Sequence, residues 1–300
     1  MAGFFGGKDK YTRPGPGISK SEAEKTGLSR YFDILGRRIW KIITVNFIYF
    51  LFSIIPILLM ATVCNIGITW TASTVMSSEE LQEWINNGGT MAVAIAALLI
   101  YTNCGGGPAA CGLINVLRKY VSDTHAWAWQ DFWDGFKANL KYGLAAYIID
   151  LFAALVLLLN FGYYNSQEGI VSALLLGLVV LVTFIWSMMH VYIYPIMTSF
   201  KLRLRDVYKN SFIMVIAKLP QTLAAFVLGF MFSFAVVAFG AATPYLMFLI
   251  PVILFGLCEY TRLSIVYPTL VKYMADPAEE ENNFGEAVFN DDREQRDGKA

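Results

Sequence analysis

Six stretches of the chain are almost unbroken apolar sequence: residues 39–68, 91–117, 142–160, 170–198, 222–242 and 245–267. A helix rises about 1.5 Å per residue and a bilayer's hydrocarbon core is about 30 Å thick, so about 20 such residues cross it. The pattern predicts six transmembrane helices arranged as three helical hairpins. Longer amphipathic connections, around 118–141 and 200–221, join the hairpins. The short connections at 69–90, 161–169 and 243–244 contain no Lys or Arg, and their charges are Glu79, Glu80, Glu83 and Glu168. Basic residues collect on the other side: nine between Lys8 and Lys41, then Arg118, Lys119, Lys137 and Lys141, then Lys201, Arg203, Arg205, Lys209 and Lys218. Positive residues in short loops stay cytoplasmic, so both termini are expected in the cytosol of a multi-pass cytoplasmic-membrane protein. The first run is preceded by a polar stretch ending in Arg37, Arg38 and Lys41, with no small-residue cleavage site, and is expected to be a retained anchor.

Composition reinforces this. Of 300 residues, 56% are apolar and only 15% charged, where a soluble domain carries about a quarter charged. Six greasy runs leave too little polar surface for a soluble fold, and the lipid bilayer is the expected surrounding. Lys and Arg (23) balance Asp and Glu (23), which removes the electrostatic case for nucleic-acid binding. The domain plan is a cytoplasmic segment over 1–38, a transmembrane domain over 39–275 and a tail over 276–300. That tail carries nine acids against three bases and few apolar residues, and is expected to be disordered.

Ionisable groups inside spans are expensive, and each is a candidate for function or for pairing. Asp150, His190, Glu259 and Arg262, with Asn46, fall at comparable heights in four different runs and predict one polar layer in the cytoplasmic half of the bundle. Glu259 and Arg262, three residues apart, share a helix face; Asp150 is expected on the other side of the guanidinium. Such a layer serves as polar glue, as a substrate or proton site, or lets Arg262 snorkel to the headgroups. Gly105, Gly106, Gly107 and Pro108 break the second run near its middle. Broken backbone at that depth needs cover from protein or a watery cavity. It marks either a binding site or a close packing of helices.

The connection at 125–141 holds Trp127, Trp129, Asp131, Phe132, Trp133 and Phe136, mixed with lysines. It predicts a helix lying along the membrane interface, with a docking surface for a cytoplasmic partner as the sharper alternative. Acids preceding each hairpin (Asp33, Asp131 and Asp206) hint at a threefold internal repeat with unequal spacing. The four cysteines form no CxxC pair, and no Walker, GxSxG, HExxH or GxGxxG pattern is present. No catalytic constellation, metal site or cofactor is therefore expected.

Several of these pieces resemble one family. Phe4-Phe5, the segment Arg13-Pro14-Gly15-Pro16-Gly17-Ile18-Ser19-Lys20, Tyr31-Phe32-Asp33-Ile34 with Arg37-Arg38-Ile39-Trp40-Lys41, and Asp131-Phe132-Trp133 with Phe136-Lys137 are similar to the YesL-like bacterial integral membrane proteins. The resemblance runs to about Tyr273; the glycine run at Cys104 to Pro108 is richer than the family pattern. It implies a polytopic bacterial protein encoded beside carbohydrate ABC uptake systems, and no demonstrated reaction. On that basis the expected role is a non-enzymatic accessory partner of a sugar ABC permease. A small transporter or channel using the polar layer is the alternative; an intramembrane enzyme acting on lipid or glycan is a third, with no paired outward carboxylates to support it. Reporter fusions at the two termini are expected to read the same, cytoplasmic, face and a fusion near Glu80 the opposite one; termini on opposite faces contradict this topology.

Overall fold

The computed structural model describes residues 27–89 and 106–274 and, between them, Val93, Ala96, Ala97, Ile100, Tyr101 and Asn103. The expected tail at 276–300, most of the N-terminal segment, and Gly105 of the glycine run lie outside the described residues. The chain divides into two compact units, Met1–Arg37 and Arg38–Ala300. In the first, the described residues are helical from Gly27, and Arg37 pairs with Asp33 one turn earlier at 3.0 Å.

All described regular structure is helical, and the protein is an all-α polytopic membrane protein. The helices are α1 (Gly27–Val75), α2 (Ser78–Trp84), α3 (Gly107–Val121), α4 (Ala128–Ala138), α5 (Leu140–Asn165), α6 (Ile170–Ser199), α7 (Leu204–Ala217), α8 (Leu219–Ala242) and α9 (Pro244–Met274). Five are long and apolar enough to cross a membrane, namely α1, α5, α6, α8 and α9. The expected sixth run, 91–117, lies mostly on residues outside the description, and α3, its described end, has only fifteen residues. Helix α1 begins twelve residues before the first apolar run because hydropathy registers only the part of a helix that meets hydrocarbon. Large apolar side chains such as Ile55, Phe152 and Leu174 stand exposed on α1, α5 and α6. A continuous apolar surface of that extent suits lipid rather than water.

Within the second unit, helices α5 and α6 pack as one hairpin and α8 and α9 as another. Helices α3, α6 and α9 each touch the other two, so the second helix of each expected hairpin forms an inner triangle. Helix α3 lies deepest: twelve of its fifteen residues are buried. Its start is set by Gly107, whose φ of +54° favours glycine, and by Pro108 in the first turn, where no amide hydrogen is required. Glycines let its neighbours close in. A Cβ at Gly143 of α5 would lie 3.0 Å from the backbone of Pro108, and one at Gly112 would lie 2.9 Å from the Phe132 ring of α4.

The amphipathic helices enter the bundle in similar ways. A single residue, Asn139, separates α4 from α5, and Lys218 likewise separates α7 from α8. At the opposite, acidic end, Ser77 and Glu80 close a reciprocal cap on α2: the Ser77 amide donates to Glu80 Oε2 at 2.8 Å, and the Glu80 amide to Ser77 Oγ at 3.4 Å. The Ser77 amide holds the Glu80 carboxyl below its ordinary value. The cap is therefore in place above the ordinary carboxylate range and is lost as pH falls through the lowered value.

Candidate functional site

The buried carboxylate of α5 meets α6. Asp150 Oδ1 lies 2.8 Å from His190 Nε2, with the two side chains 0% and 2% exposed. The other imidazole nitrogen, Nδ1, faces the Trp186 carbonyl oxygen at 2.9 Å. A carbonyl only accepts, so Nδ1 carries a hydrogen. Nε2 and Oδ1 then share one further proton: His190 is an imidazolium beside a carboxylate, or a neutral ring accepting from a carboxylic acid. Either way the pair is neutral overall, which is how two ionisable groups tolerate burial away from water.

One turn further along α6, the Tyr194 hydroxyl donates to Asp150 Oδ2 at 3.4 Å and accepts from the amides of Gly106 and Gly107 at 3.2 and 3.0 Å. Those amides open α3, where a helix leaves its first donors without intrahelical partners. Tyr194 satisfies them and passes the positive end of the helix dipole toward the carboxylate. The glycine break is thus both a close packing and a part of the polar chain.

A second ion pair stands across the inner triangle. Arg262 Nη1 donates to Glu259 Oε1 on the same face of α9. The Asp150 partner is His190, correcting the expectation that its carboxylate sits against Arg262. The guanidinium lies over Gly229 of α8, where a Cβ would come within 3.3 Å of Arg262 Cζ and 3.1 Å of Asn103 Oδ1. Asn103 in turn donates to Ser233 Oγ at 2.8 Å. Asn46 does not join this layer. Its amide donates to the Pro251 and Val252 carbonyls at 3.0 and 2.7 Å, bonding α1 to α9, and its Cβ rests against Gly256.

Two spaces adjoin the pairs. A central cavity of about 40 Å³ among α3, α6 and α9 is lined by Tyr49, Tyr101, Asn103, His190, Glu259 and Arg262, among others. That is room for about three waters, and the buried Tyr101 hydroxyl stands on its wall near Tyr49 and Ser53. On the far side of the pair, Asp150 lines a larger groove of about 590 Å³ between α5, α6 and α8. The residues Asp150 and His190 thus border different spaces, while the carboxylate itself is buried against the imidazole.

The aromatic connection folds inward rather than standing free. Asp131 Oδ2 accepts the Trp127 amide at 2.7 Å, its Oδ1 pairs with Lys119 of α3 at 2.7 Å, and Asn115 donates to its carbonyl at 2.7 Å. Phe132 is completely buried. Phe52 of α1 sits among Trp129, Phe132, Trp133 and Phe136 at ring separations of 5.4 to 6.2 Å. Trp127 and Trp129 remain exposed, at 67% and 57%.

Tyr194, Tyr101, Asn103 and Ser233 were not singled out from the sequence. The four-residue spacing of His190 and Tyr194 was the one readable signal, since it puts both on one helix face. Among the described residues no group of three or more His, Cys, Asp or Glu stands close enough to hold a metal ion. No family model, curated protein or solved structure matches the chain.

Removing one partner of a buried pair strands the other, so Asp150→Leu and His190→Phe are each expected to destabilise by about 3 kcal/mol. The double variant is expected to lose clearly less than their sum, as read by thermal unfolding in detergent micelles. Strict additivity contradicts the pairing.

Proposed function

We propose that the protein is a small carrier that links passage of a solute through the membrane to the proton shared by Asp150 and His190. One observation carries the reading: of this buried, hydrogen-bonded pair, the residue His190 lines the central cavity and the residue Asp150 is among those bordering the apolar groove. Because the pair is neutral with its proton shared, losing or gaining a proton on either side creates a buried charge. A charged ligand or a shift in helix packing would relieve that charge, which couples occupancy to protonation. Glu259 and Arg262 offer both signs of charge to a polar solute in the central cavity. The inner triangle supplies the scaffold, since α3, α6 and α9 meet around that cavity.

For orientation we follow the distribution of Lys and Arg: the ends bearing α4 and α7, and both termini, are assigned to the cytosol of a bacterial cytoplasmic membrane. A second reading is the accessory role beside a carbohydrate ABC permease that the YesL-like resemblance implies. The exposed Trp127 and Trp129 favour it as a contact surface. Affinity purification in mild detergent that retains no sugar permease counts against it.

In proteoliposomes holding a trapped pH dye, an inside-negative potassium diffusion potential is expected to drive proton entry faster than in protein-free liposomes. Asp150→Asn and His190→Gln should cut that entry at least tenfold, while Asn46→Ala, outside the layer, leaves it standing. Equal entry through the native chain and Asp150→Asn overturns the carrier reading.

A further inference from the structure

We infer that the exposed face of α7 is a binding site for one anionic phospholipid, with its phosphate on Arg205 and Lys209 and its chains against Phe212 and Ile216. The opposite face of the helix is already taken. Val207, Ser211, Met214 and Val215 are buried, α7 packs on α6 and α8, and Tyr208 stacks on Trp186 of α6 at 5.7 Å. Arg205, Lys209, Phe212 and Ile216 follow one another at intervals of four, three and four residues, which lines them up along the other side. All four are exposed.

This stripe is divided along its length: the first half is basic and the second apolar. The apolar half ends just before Lys218, the single residue that joins α7 to α8. Beyond that joint Leu219, Leu223 and Val227 stand exposed on α8, a helix long and apolar enough to cross the membrane. Lys218 donates to the Tyr273 hydroxyl of α9 at 2.7 Å, which braces the joint. An amphiphile with a negative head matches both halves. Its phosphate meets the bases, and its chains run on toward the lipid-facing surface of α8.

Charge selects the sign of the head. Lys201 and Arg203 stand exposed just before Arg205 and Lys209, and Asp206 is the one acid between residues 200 and 221. Among the described residues neither Arg205 nor Lys209 pairs with an acid. Each basic side chain near an anionic membrane surface strengthens binding by about fivefold. A free phosphate or an acidic protein segment would engage the bases and leave Phe212 and Ile216 uncovered. A zwitterionic lipid would cover those two and gain little from the bases. Helix α4 offers no such face, since it carries Asp131 and Asp134 against Lys137, and Asp131 is already bound to Lys119. This site is separate from the carrier reading, and neither depends on the other.

The test is native mass spectrometry of the full chain released from detergent micelles holding equimolar phosphatidylglycerol and phosphatidylcholine with identical acyl chains. One phosphatidylglycerol per chain is expected to be retained, at least tenfold in preference to phosphatidylcholine. The double variant Arg205→Gln/Lys209→Gln should abolish the preference, whereas Lys137→Gln/Lys141→Gln, which removes as much charge beside α4, should keep it. Phe212→Ser/Ile216→Ser should weaken retention of phosphatidylglycerol at least threefold. Equal retention of the two lipids by the native chain overturns the inference, as does a preference that survives in a folded Arg205→Gln/Lys209→Gln or falls equally in Lys137→Gln/Lys141→Gln. Displacement of the lipid by equimolar hexaglutamate would assign the face to an acidic protein segment and overturn it too. If the α7 variants do not fold, the comparison of the two lipids and the hexaglutamate competition on the native chain decide.

Discussion

A carboxyl group surrounded by helices and lipid has no water to solvate it, and the partner it finds there decides what the surrounding structure can be. Asp150 meets that constraint with a histidine rather than an arginine. An arginine would hold a permanent ion pair; an imidazole can carry a proton on either ring nitrogen. Because the Trp186 carbonyl accepts the hydrogen of the other ring nitrogen, the proton shared with Asp150 lies on the Nε2 side. The arrangement follows from burial: two groups that would each be costly alone become tolerable as a neutral unit.

The same constraint explains why α3 starts where it does. A helix that begins inside a bundle exposes amide donors that need acceptors, and the Tyr194 hydroxyl accepts from two of them while facing Asp150. Glycine is required on both sides of this junction. Gly107 adopts a left-handed backbone conformation, and Gly143 lets α5 approach the backbone of Pro108. Backbone packing and polar wiring meet at one place, joined to the carboxylate by a single hydroxyl.

Much of the architecture was readable from the chain because a bilayer imposes a length and a composition on each span. Alternating basic and acidic connections separated the two ends of the bundle, and the Glu259–Arg262 spacing led directly to their contact on α9. What hydropathy does not encode is the rotation of each helix about its axis. Asp150 had two eligible partners at one height, Arg262 and His190, and nothing in the linear order says which helix face turns toward it. Asn46 looked like a member of the layer for the same reason, yet its face meets the α9 backbone at Pro251. Tyr194 and Tyr101 were hidden because an aromatic ring counts as apolar while its hydroxyl does not. The Asp131-Phe132-Trp133 motif was legible as an amphipathic helix, but its main use is internal: the acid caps its own helix and ties it to Lys119, and Phe132 fills the space that Gly112 leaves open.

The shared proton can be observed directly, because the chain has only two histidines, His125 and His190. Nitrogen-15 NMR of histidine-labelled protein, assigned with His125→Gln, reads the protonation of each ring nitrogen. His190 Nδ1 is expected to carry a hydrogen throughout the pH range in which the fold persists, and Asp150→Asn is expected to shift the Nε2 resonance. A bare Nδ1 with the hydrogen on Nε2 alone, or a His190 spectrum indifferent to Asp150→Asn, would contradict it.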